Sequence, residues 1–203
     1  DVNKLVIITG ISGSGKTTIA REVINKQENI TVISLDTMKE NLFFDIIGYH
    51  NEEQRDRLEM LKWDVFWSLL QECMDRQDPV IMVEYPFRTR VTEKFNTLIE
   101  KYHYDALTVS VQDRDFDAIW QRKCKRDSSP SRHLGHLFSK YDPVKKVGEG
   151  EMLKADRYEI LKQEYQDKVY NSIVVGEKIE FCNETGKSRE IIVDKIGRFI
   201  KKE

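Results

Sequence analysis

The sequence predicts an α/β protein in which helices cover both faces of a five-stranded parallel sheet. Short runs rich in β-branched residues alternate along the chain with longer segments of helical periodicity. Several of these runs are apolar throughout, as is typical of strands that are covered on both faces. No repeat, low-complexity tract or linker divides the 203 residues. We therefore expect one three-layer α/β/α domain over residues 1–203.

Five strands and seven helices are predicted in order along the chain. The strands are Lys4–Gly10, Ile30–Asp36, Pro79–Tyr85, Asp105–Gln112 and Asn171–Gly176. The helices are Lys16–Lys26, Met38–Gly48, Glu52–Gln77, Val91–Tyr102, Asp115–Lys125, Lys154–Lys168 and Ser188–Lys201. In the third helix, apolar residues return at the helical spacing of a buried stripe. Trp63, Phe66 and Trp67 widen this stripe, and we interpret them as core residues.

Composition and charge argue against several classes of protein. The formal net charge of −2 means that the chain as a whole is not an electrostatic partner for nucleic acid or an anionic membrane. The three cysteines lie far apart without metal-ligand spacing, which argues against a disulfide framework or a zinc site. No apolar run approaches the roughly 18 residues that cross a bilayer, and the first residues lack a signal-peptide pattern. We expect a cytoplasmic protein with no membrane partner.

The segment "GISGSGKT" at residues 10–17 fits the pattern G-x-x-x-x-G-K-[ST] between a predicted strand and a predicted helix. Glycines let the backbone turn its N–H groups toward phosphate oxygens, and the helix N-terminus adds its dipole. Lys16 is expected to reach the β- and γ-phosphates, and the Thr17 hydroxyl to ligate Mg²⁺. The predicted cofactors are ATP and Mg²⁺. The predicted nucleotide contacts are Gly10, Ser12, Gly13, Ser14, Gly15, Lys16, Thr17 and Thr18.

The rest of the chain resembles one group of phosphate-loop proteins. It carries neither the N-K-x-D motif of GTPases nor an obvious signature of an ABC-type ATPase or a helicase. Size, strand order and loop placement resemble the P-loop kinases of small molecules, which include nucleoside monophosphate, shikimate and gluconate kinases and chloramphenicol phosphotransferase. "EYPF" at residues 84–87 and "SRHLGH" at residues 131–136 resemble two elements of predicted AAA-type ATP-dependent kinases. The resemblance spans nearly the whole chain and implies transfer of the γ-phosphoryl group of Mg·ATP to a hydroxyl group.

Asp36 stands at the end of the second predicted strand, beside the phosphate loop. In the resembled family a carboxylate at this place orients or deprotonates the acceptor hydroxyl, and the resemblance implies that role for Asp36. Polynucleotide kinases use a similar Asp-x-x-Arg pattern, and Lys39, here in place of the arginine, is a candidate substrate contact. An ordinary carboxylate does not deprotonate an alcohol outright at neutral pH, so Asp36 would align the hydroxyl and accept its proton late. The alternative is that Asp36 caps the following helix.

Glu84 ends the third predicted strand, where a Walker-B carboxylate is expected and aspartate is commoner. It is a candidate to hold Mg²⁺ through a water or to position the acceptor, and capping of the strand end is the alternative. Arg88 should lie along the substrate cleft, because ligands of open α/β sheets bind beyond the carboxyl ends of strands. It is a candidate contact for an anionic group of the substrate.

Residues 114–146 are locally basic, with nine Lys and Arg against four Asp. At this place the resembled family carries a lid whose arginines close over the phosphates and stabilise transition-state charge. The implied lid arginines are Arg122, Arg126 and Arg132, and a solvated basic helix is the alternative. His133 and His136 are candidates for phosphate or substrate contact, with a metal-binding or purely structural role as alternatives.

Residues 39–57 occupy the place of the acceptor-binding region in related kinases. Their mixed charge does not single out a sugar, a nucleoside, an antibiotic or a polynucleotide end. Two other functions stay open beside a small-molecule kinase: a polynucleotide 5′-hydroxyl kinase and a non-catalytic nucleotide-sensing or regulatory ATPase. The near-neutral charge weighs against a nucleic-acid partner, and the presence of both carboxylates weighs against a purely regulatory protein.

Overall fold

The computed structural model describes residues 1–40, 50–129, 155–183 and 186–202. Its strands form one parallel sheet in the order β2-β3-β1-β4-β5. The strands are β1 (Lys4–Thr9), β2 (Ile30–Ser34), β3 (Val80–Glu84), β4 (Asp105–Gln112) and β5 (Glu177–Cys182). The helices are α1 (Lys16–Lys26), α2 (Leu35–Glu40), α3 (Glu52–Asp75), α4 (Thr92–Tyr102), α5 (Phe116–Asp127), α6 (Ala155–Gln166) and α7 (Gly186–Ile200).

Helices cover both faces of the sheet, as predicted. Leu5 and Ile7 of β1 belong to the core cluster beneath α3 and α4. Val6 and Ile8 belong to the cluster beneath α1 and α7. Because successive side chains of a strand point to opposite faces, a strand that is covered on both sides is apolar at every position. The predicted three-layer fold is therefore confirmed.

The aromatic residues of α3 pack as the sequence predicts. Phe66 is fully buried in the cluster beneath α3 and α4, and Trp63 and Trp67 are partly buried against the same cluster. Phe66 contacts the edge of the Trp67 ring, with the ring centroids 4.8 Å apart. These side chains anchor α3 to the sheet.

The fifth predicted strand is wrong. The apolar run Asn171–Gly176 is irregular, and the strand is the following segment, Glu177–Cys182. Val175 is buried, but the Thr108 hydroxyl binds its backbone: it donates to the Val175 carbonyl at 2.8 Å and accepts from the Val175 N–H at 2.9 Å. β5 lies at the edge of the sheet and is only partly buried, so an apolar run does not mark it.

The second strand ends at Ser34, two residues earlier than predicted, and Asp36 lies in the first turn of α2. The Ser34 hydroxyl accepts a hydrogen bond from the Thr37 N–H at 3.4 Å. Ser34 therefore occupies the capping position, and the alternative in which Asp36 caps the helix is wrong. Residues 41–48 of the predicted second helix lie outside the described residues. Among the helices that are described, none is long and apolar enough to cross a membrane.

Candidate active site

A cleft of about 530 Å³ opens at the carboxyl ends of the strands. It is bordered by the loop after β1, the start of α2, the end of β3, α5 and the segment that follows β5. Its lining residues are Gly13, Gly15, Lys16, Thr17, Thr18, Asp36, Glu84, Arg122, Arg126, Asn183 and Arg189. The cleft therefore brings together predicted site residues from the first 84 positions with arginines much later in the chain.

The loop between β1 and α1 requires glycine at two close contacts. A Cβ atom on Gly10 would lie 2.3 Å from the carbonyl oxygen of Val111 in β4. Gly13 has a φ of 90°, and its Cβ atom would lie 2.9 Å from the carbonyl oxygen of Ile119 in α5. These glycines let the loop pass between β4 and α5 to the start of α1.

Lys16, the first residue of α1, is buried. Its ammonium group donates a hydrogen bond to the Ile11 carbonyl oxygen at 3.0 Å. Burial lowers the pKa of Lys16 to about 8, although the nearby Glu84 and Asp36 carboxylates act in the opposite direction. A phosphate group beside Lys16 would favour its charged form.

The Ser14 hydroxyl indicates whether the loop between β1 and α1 fits a phosphate group. The side chain is fully buried, and its hydroxyl has no hydrogen-bond partner among the residues that the structure describes. Buried hydroxyl groups are nearly always hydrogen-bonded, and phosphate oxygens are strong acceptors. The loop therefore fits a bound phosphate.

Thr17 and Glu84 form the part of the cleft that fits Mg²⁺. The Thr17 hydroxyl donates to a Glu84 carboxylate oxygen at 2.8 Å. Burial raises the pKa of Glu84, and Lys16 and the Thr17 hydrogen bond offset part of this rise. Within the described ranges no three His, Cys, Asp or Glu side chains cluster as a metal site. This donor set suits Mg²⁺, which binds through one or two protein oxygens together with nucleotide phosphates.

Asp36 lines the cleft, whereas Lys39, three residues later in α2, does not line it and forms an ion pair with Glu59 of α3. The Lys39 ammonium lies 2.5 Å from the Glu59 carboxylate. Lys62, only 1% exposed, lies 2.7 Å from the same carboxylate and donates to the Tyr85 hydroxyl at 2.8 Å. Burial alone would raise the pKa of Glu59, but the two lysines outweigh it and lower this pKa to about 2.

Arg122 and Arg126, one turn apart on α5, contact the phosphate loop. Arg122 donates to the Gly13 carbonyl oxygen at 2.8 Å and to the Asp113 carboxylate at 2.6 Å. Arg126 donates to the Ser12 hydroxyl. Residues 130–146 of the predicted lid, including Arg132, His133 and His136, lie outside the described residues, as do residues 41–49 of the predicted acceptor-binding region.

Arg88 is not among the residues that line the cleft. Its guanidinium donates to the Glu164 carboxylate at 3.0 Å and to the Tyr170 hydroxyl at 3.1 Å. It therefore joins the segment after β3 to α6, and its contact with a substrate stays a prediction.

Sequence reasoning missed two residues of the cleft, Asn183 and Arg189. The Asn183 amide donates to the Ser14 carbonyl oxygen at 3.4 Å, and the Arg189 guanidinium lies 3.9 Å from the Glu22 carboxylate. The misplaced fifth strand explains the omission. A strand that ends at Cys182 would have placed Asn183 at the carboxyl edge of the sheet, where ligands bind.

Comparisons with known proteins agree with this geometry. A family model described as an AAA domain matches residues 5–132, which is more than half of the chain. A comparison with curated proteins finds no match. The structure is similar to that of a candidate kinase from Chloroflexus aurantiacus, with a TM-score of 0.75, 18% identity and 98% of both chains covered.

Two further solved structures share the fold. Shikimate kinase from Bacteroides thetaiotaomicron has a TM-score of 0.56 and 19% identity, with 97% of this chain and 98% of that chain covered. The Deinococcus radiodurans tunicamycin resistance protein has a TM-score of 0.55 and 12% identity, with 98% of this chain and 95% of that chain covered. At these identities the likeness shows the fold alone. The chain therefore belongs to the family of AAA domains that its residues 5–132 match, and it has the P-loop fold of small-molecule kinases.

Proposed function

We propose that the protein is an ATP-dependent kinase that transfers the γ-phosphoryl group of Mg·ATP to a hydroxyl group of a small molecule. The observation that carries this proposal is one cleft that holds the phosphate loop, the carboxylates Asp36 and Glu84, and two arginines of α5. One carboxylate suffices to support a metal ion. A second carboxylate in the same cleft is what an acceptor hydroxyl requires.

The proposed reaction exchanges one phosphorus–oxygen bond for another. The acceptor oxygen forms a bond to the γ-phosphorus, and the bond from that phosphorus to the β–γ bridging oxygen breaks, which releases ADP. Asp36 aligns the hydroxyl group, accepts its proton late in the transfer and passes it to water. Positioning and charge neutralisation account for most of the rate enhancement in such reactions.

The cations of the cleft have separate roles in this proposal. Lys16 neutralises charge on the β- and γ-phosphates, and Arg122 and Arg126 neutralise charge on the transferred group. Thr17 and Glu84 would hold Mg²⁺, which supplies positive charge to the phosphate oxygens. A bound cation favours the ionised form of Glu84 and so opposes the rise in pKa that burial causes.

A transfer screen tests the proposal. The protein is incubated with γ-labelled ATP and Mg²⁺, and nucleosides, sugars, aminoglycosides, hydroxy acids and 5′-hydroxyl oligonucleotides are offered as separate pools. We expect label in one small-molecule pool. Label in the oligonucleotide pool alone would favour a polynucleotide kinase, whose substrate binding would weaken steeply with salt. Nucleotide binding without transfer to any pool would favour a sensing or regulatory protein.

A further inference from the structure

A second cavity lies between α3 and α4, outside the candidate active site. Its volume is about 410 Å³, which is within the range of small-molecule sites. Its walls include Glu59, Trp63 and Trp67 of α3 together with Arg90, just before α4, and Lys94 in the first turn of α4. None of these residues lines the nucleotide cleft. We call this cavity the α3–α4 groove.

One wall of the α3–α4 groove is a pair of stacked indole rings. The Trp63 and Trp67 ring centroids are 6.0 Å apart, and the ring planes meet at 25°. Each ring also packs against fully buried Phe66, at 5.8 Å and 4.8 Å respectively. Because the rings are fixed by the core, a planar ligand would find this wall already formed.

Two exposed cations lie over this aromatic wall, in addition to buried Lys62, whose ammonium is 5.3 Å from the Trp63 ring centroid. The Arg90 guanidinium is 5.9 Å from the Trp63 ring centroid, and the Lys94 ammonium is 5.0 Å from the Trp67 ring centroid. Both side chains are exposed, and neither has a carboxylate partner within the part of the chain that the structure describes. The aromatic wall therefore carries two positive charges that no acidic side chain neutralises there.

Glu59 does not neutralise these charges, although it also lines the groove. Its carboxylate is held between the ammonium groups of Lys39, at 2.5 Å, and Lys62, at 2.7 Å. The Glu59 charge is thus compensated within its own ion-pair cluster. The charge available to a ligand of the α3–α4 groove is that of Arg90 and Lys94.

We propose that the α3–α4 groove binds a planar aromatic anion. Its ring would pack against Trp63 and Trp67, and its carboxylate, sulfonate or phosphate group would pair with Arg90 and Lys94. A neutral ring of the same shape loses the ion pairs, and an aliphatic anion loses the contact between rings. This ligand is additional to the nucleotide, so the proposal does not depend on kinase activity.

The chain allows a direct binding test. Of its three tryptophans, only Trp120 lies outside the groove, so Trp120→Phe leaves the two groove indoles as the fluorescent groups. The probe is 4-nitrobenzoate, which quenches indole fluorescence, and the neutral match is 4-nitrobenzamide. We expect saturable 1:1 binding of 4-nitrobenzoate by quenching and by calorimetry, and about tenfold weaker binding of the amide. No saturable binding of 4-nitrobenzoate up to the millimolar range, or equal binding of both probes, would overturn the proposal.

Charge variants locate the probe. The double variant R90Q/K94Q changes only exposed side chains, and we expect it to weaken 4-nitrobenzoate binding about tenfold while leaving amide binding and the melting temperature unchanged. Lys101→Gln is the matched control, because Lys101 is on the same helix with its ammonium 4.6 Å from the Tyr102 ring centroid, outside the groove. Equal effects of R90Q/K94Q and Lys101→Gln would place the probe elsewhere.

A third probe tests the aromatic wall. Cyclohexanecarboxylate carries the same charge on a ring that is not planar, and we expect calorimetry to show binding about tenfold weaker than that of 4-nitrobenzoate. Equal affinity of the two anions would show that the indoles do not contribute to the site.

Discussion

The cleft and the ion-pair cluster between α2 and α3 compensate their charges differently. On the phosphate side of the cleft, Lys16 donates to a backbone carbonyl oxygen, that of Ile11. In the cluster, which we call the Glu59 cluster, Lys39 and Lys62 are ion-paired with Glu59. Lys16 can exchange a neutral carbonyl for a phosphate at little cost, whereas moving Lys39 or Lys62 would leave a charged carboxylate with one partner fewer. The phosphate side of the cleft is therefore arranged to accept an anion, and the Glu59 cluster is arranged as a fixed support.

The shifted pKa values express the same difference. Burial lowers the pKa of Lys16 to about 8, and the nearby Glu84 and Asp36 carboxylates offset only part of this fall. Two lysines lower the pKa of Glu59 to about 2 in spite of its burial. Perturbed pKa values occur both at functional sites and in ion-pair networks that stabilise a fold, and the causes of the two shifts separate Lys16 from Glu59.

The largest expected effect comes from removing the cation of the phosphate side. Lys16→Ala should lower phosphoryl transfer about a thousandfold, because charge on the transferred group is no longer neutralised. Single-turnover assays with γ-labelled ATP measure this loss. Lys26→Ala, an exposed position on the same helix, should retain activity. Near-normal transfer by Lys16→Ala would refute the assigned role of the loop.

Asp36→Asn should lower turnover about a hundredfold, because the amide aligns a hydroxyl poorly and cannot take its proton. ATP affinity and melting temperature should stay close to those of the wild type, since Ser34 rather than Asp36 caps α2. Asp64→Asn, an exposed position on α3, is the control. A lower melting temperature with unchanged turnover would assign Asp36 a structural role instead.

Glu59→Gln tests whether the Glu59 cluster is a fixed support. The variant should lose about 3 kcal/mol of unfolding free energy at pH 7, because the carboxyl pKa falls from 4.5 to about 2 on folding. Because the Glu59 pKa is lower in the folded state, its ion pairs stabilise the fold fully only above the unfolded-state pKa of 4.5. The difference in unfolding free energy between wild type and variant should therefore shrink as pH falls from 4.5 toward 2. Urea unfolding at several pH values measures it.

The matched control for Glu59→Gln is Glu53→Gln, which alters an exposed ion pair with Arg57 on the same helix. Glu53→Gln should lower the free energy of unfolding by less than about 0.5 kcal/mol. Similar losses in the two variants would mean that the Glu59 cluster contributes no more than a surface pair.

The smallest expected effect is the uptake of a proton by Lys16 when a nucleotide binds. A bound nucleotide should raise the pKa of Lys16 from about 8, so binding near pH 8.5 takes up a fraction of a proton and weakens as pH rises through this range. Calorimetry in two buffers of different ionisation enthalpy measures this uptake. Near pH 7, Lys16 is already mostly charged and its uptake should be small. Equal uptake by wild type and Lys16→Gln would assign the proton to another group.

The phosphate loop was predictable because its residues are consecutive. The spacing of the glycines, Lys16 and Thr17 places them in one turn whatever the rest of the chain does. Asp36 and Glu84 were predictable for a related reason: Glu84 ends β3, Asp36 lies two residues beyond β2, and parallel strands end at one edge of the sheet. The β5 prediction failed because the edge strand Glu177–Cys182 is only partly buried and carries little hydrophobic signal.

The Glu59 cluster was not predictable from local patterns. Glu59 and Lys62 occur in a helix rich in charged residues, where most such side chains face water. Their contacts with Lys39 and Tyr85 arise only when α2, α3 and the end of β3 pack together. Arg122 was implied by the resemblance as a lid arginine, but its contact with Gly13 arises only when α5 packs against the loop.

By itself, the sequence determined the class of sheet, the phosphate loop and the two strand-end carboxylates, because each is encoded in neighbouring residues. Only the tertiary structure decided which distant groups meet: Asn183 with Ser14, Arg122 with Gly13, and Lys39 and Lys62 with Glu59. The α3–α4 groove is also a tertiary feature, since its indoles and cations come from different helices. Such contacts depend on the strand order β2-β3-β1-β4-β5 and on how the helices cross the sheet, which no local pattern of residues encodes.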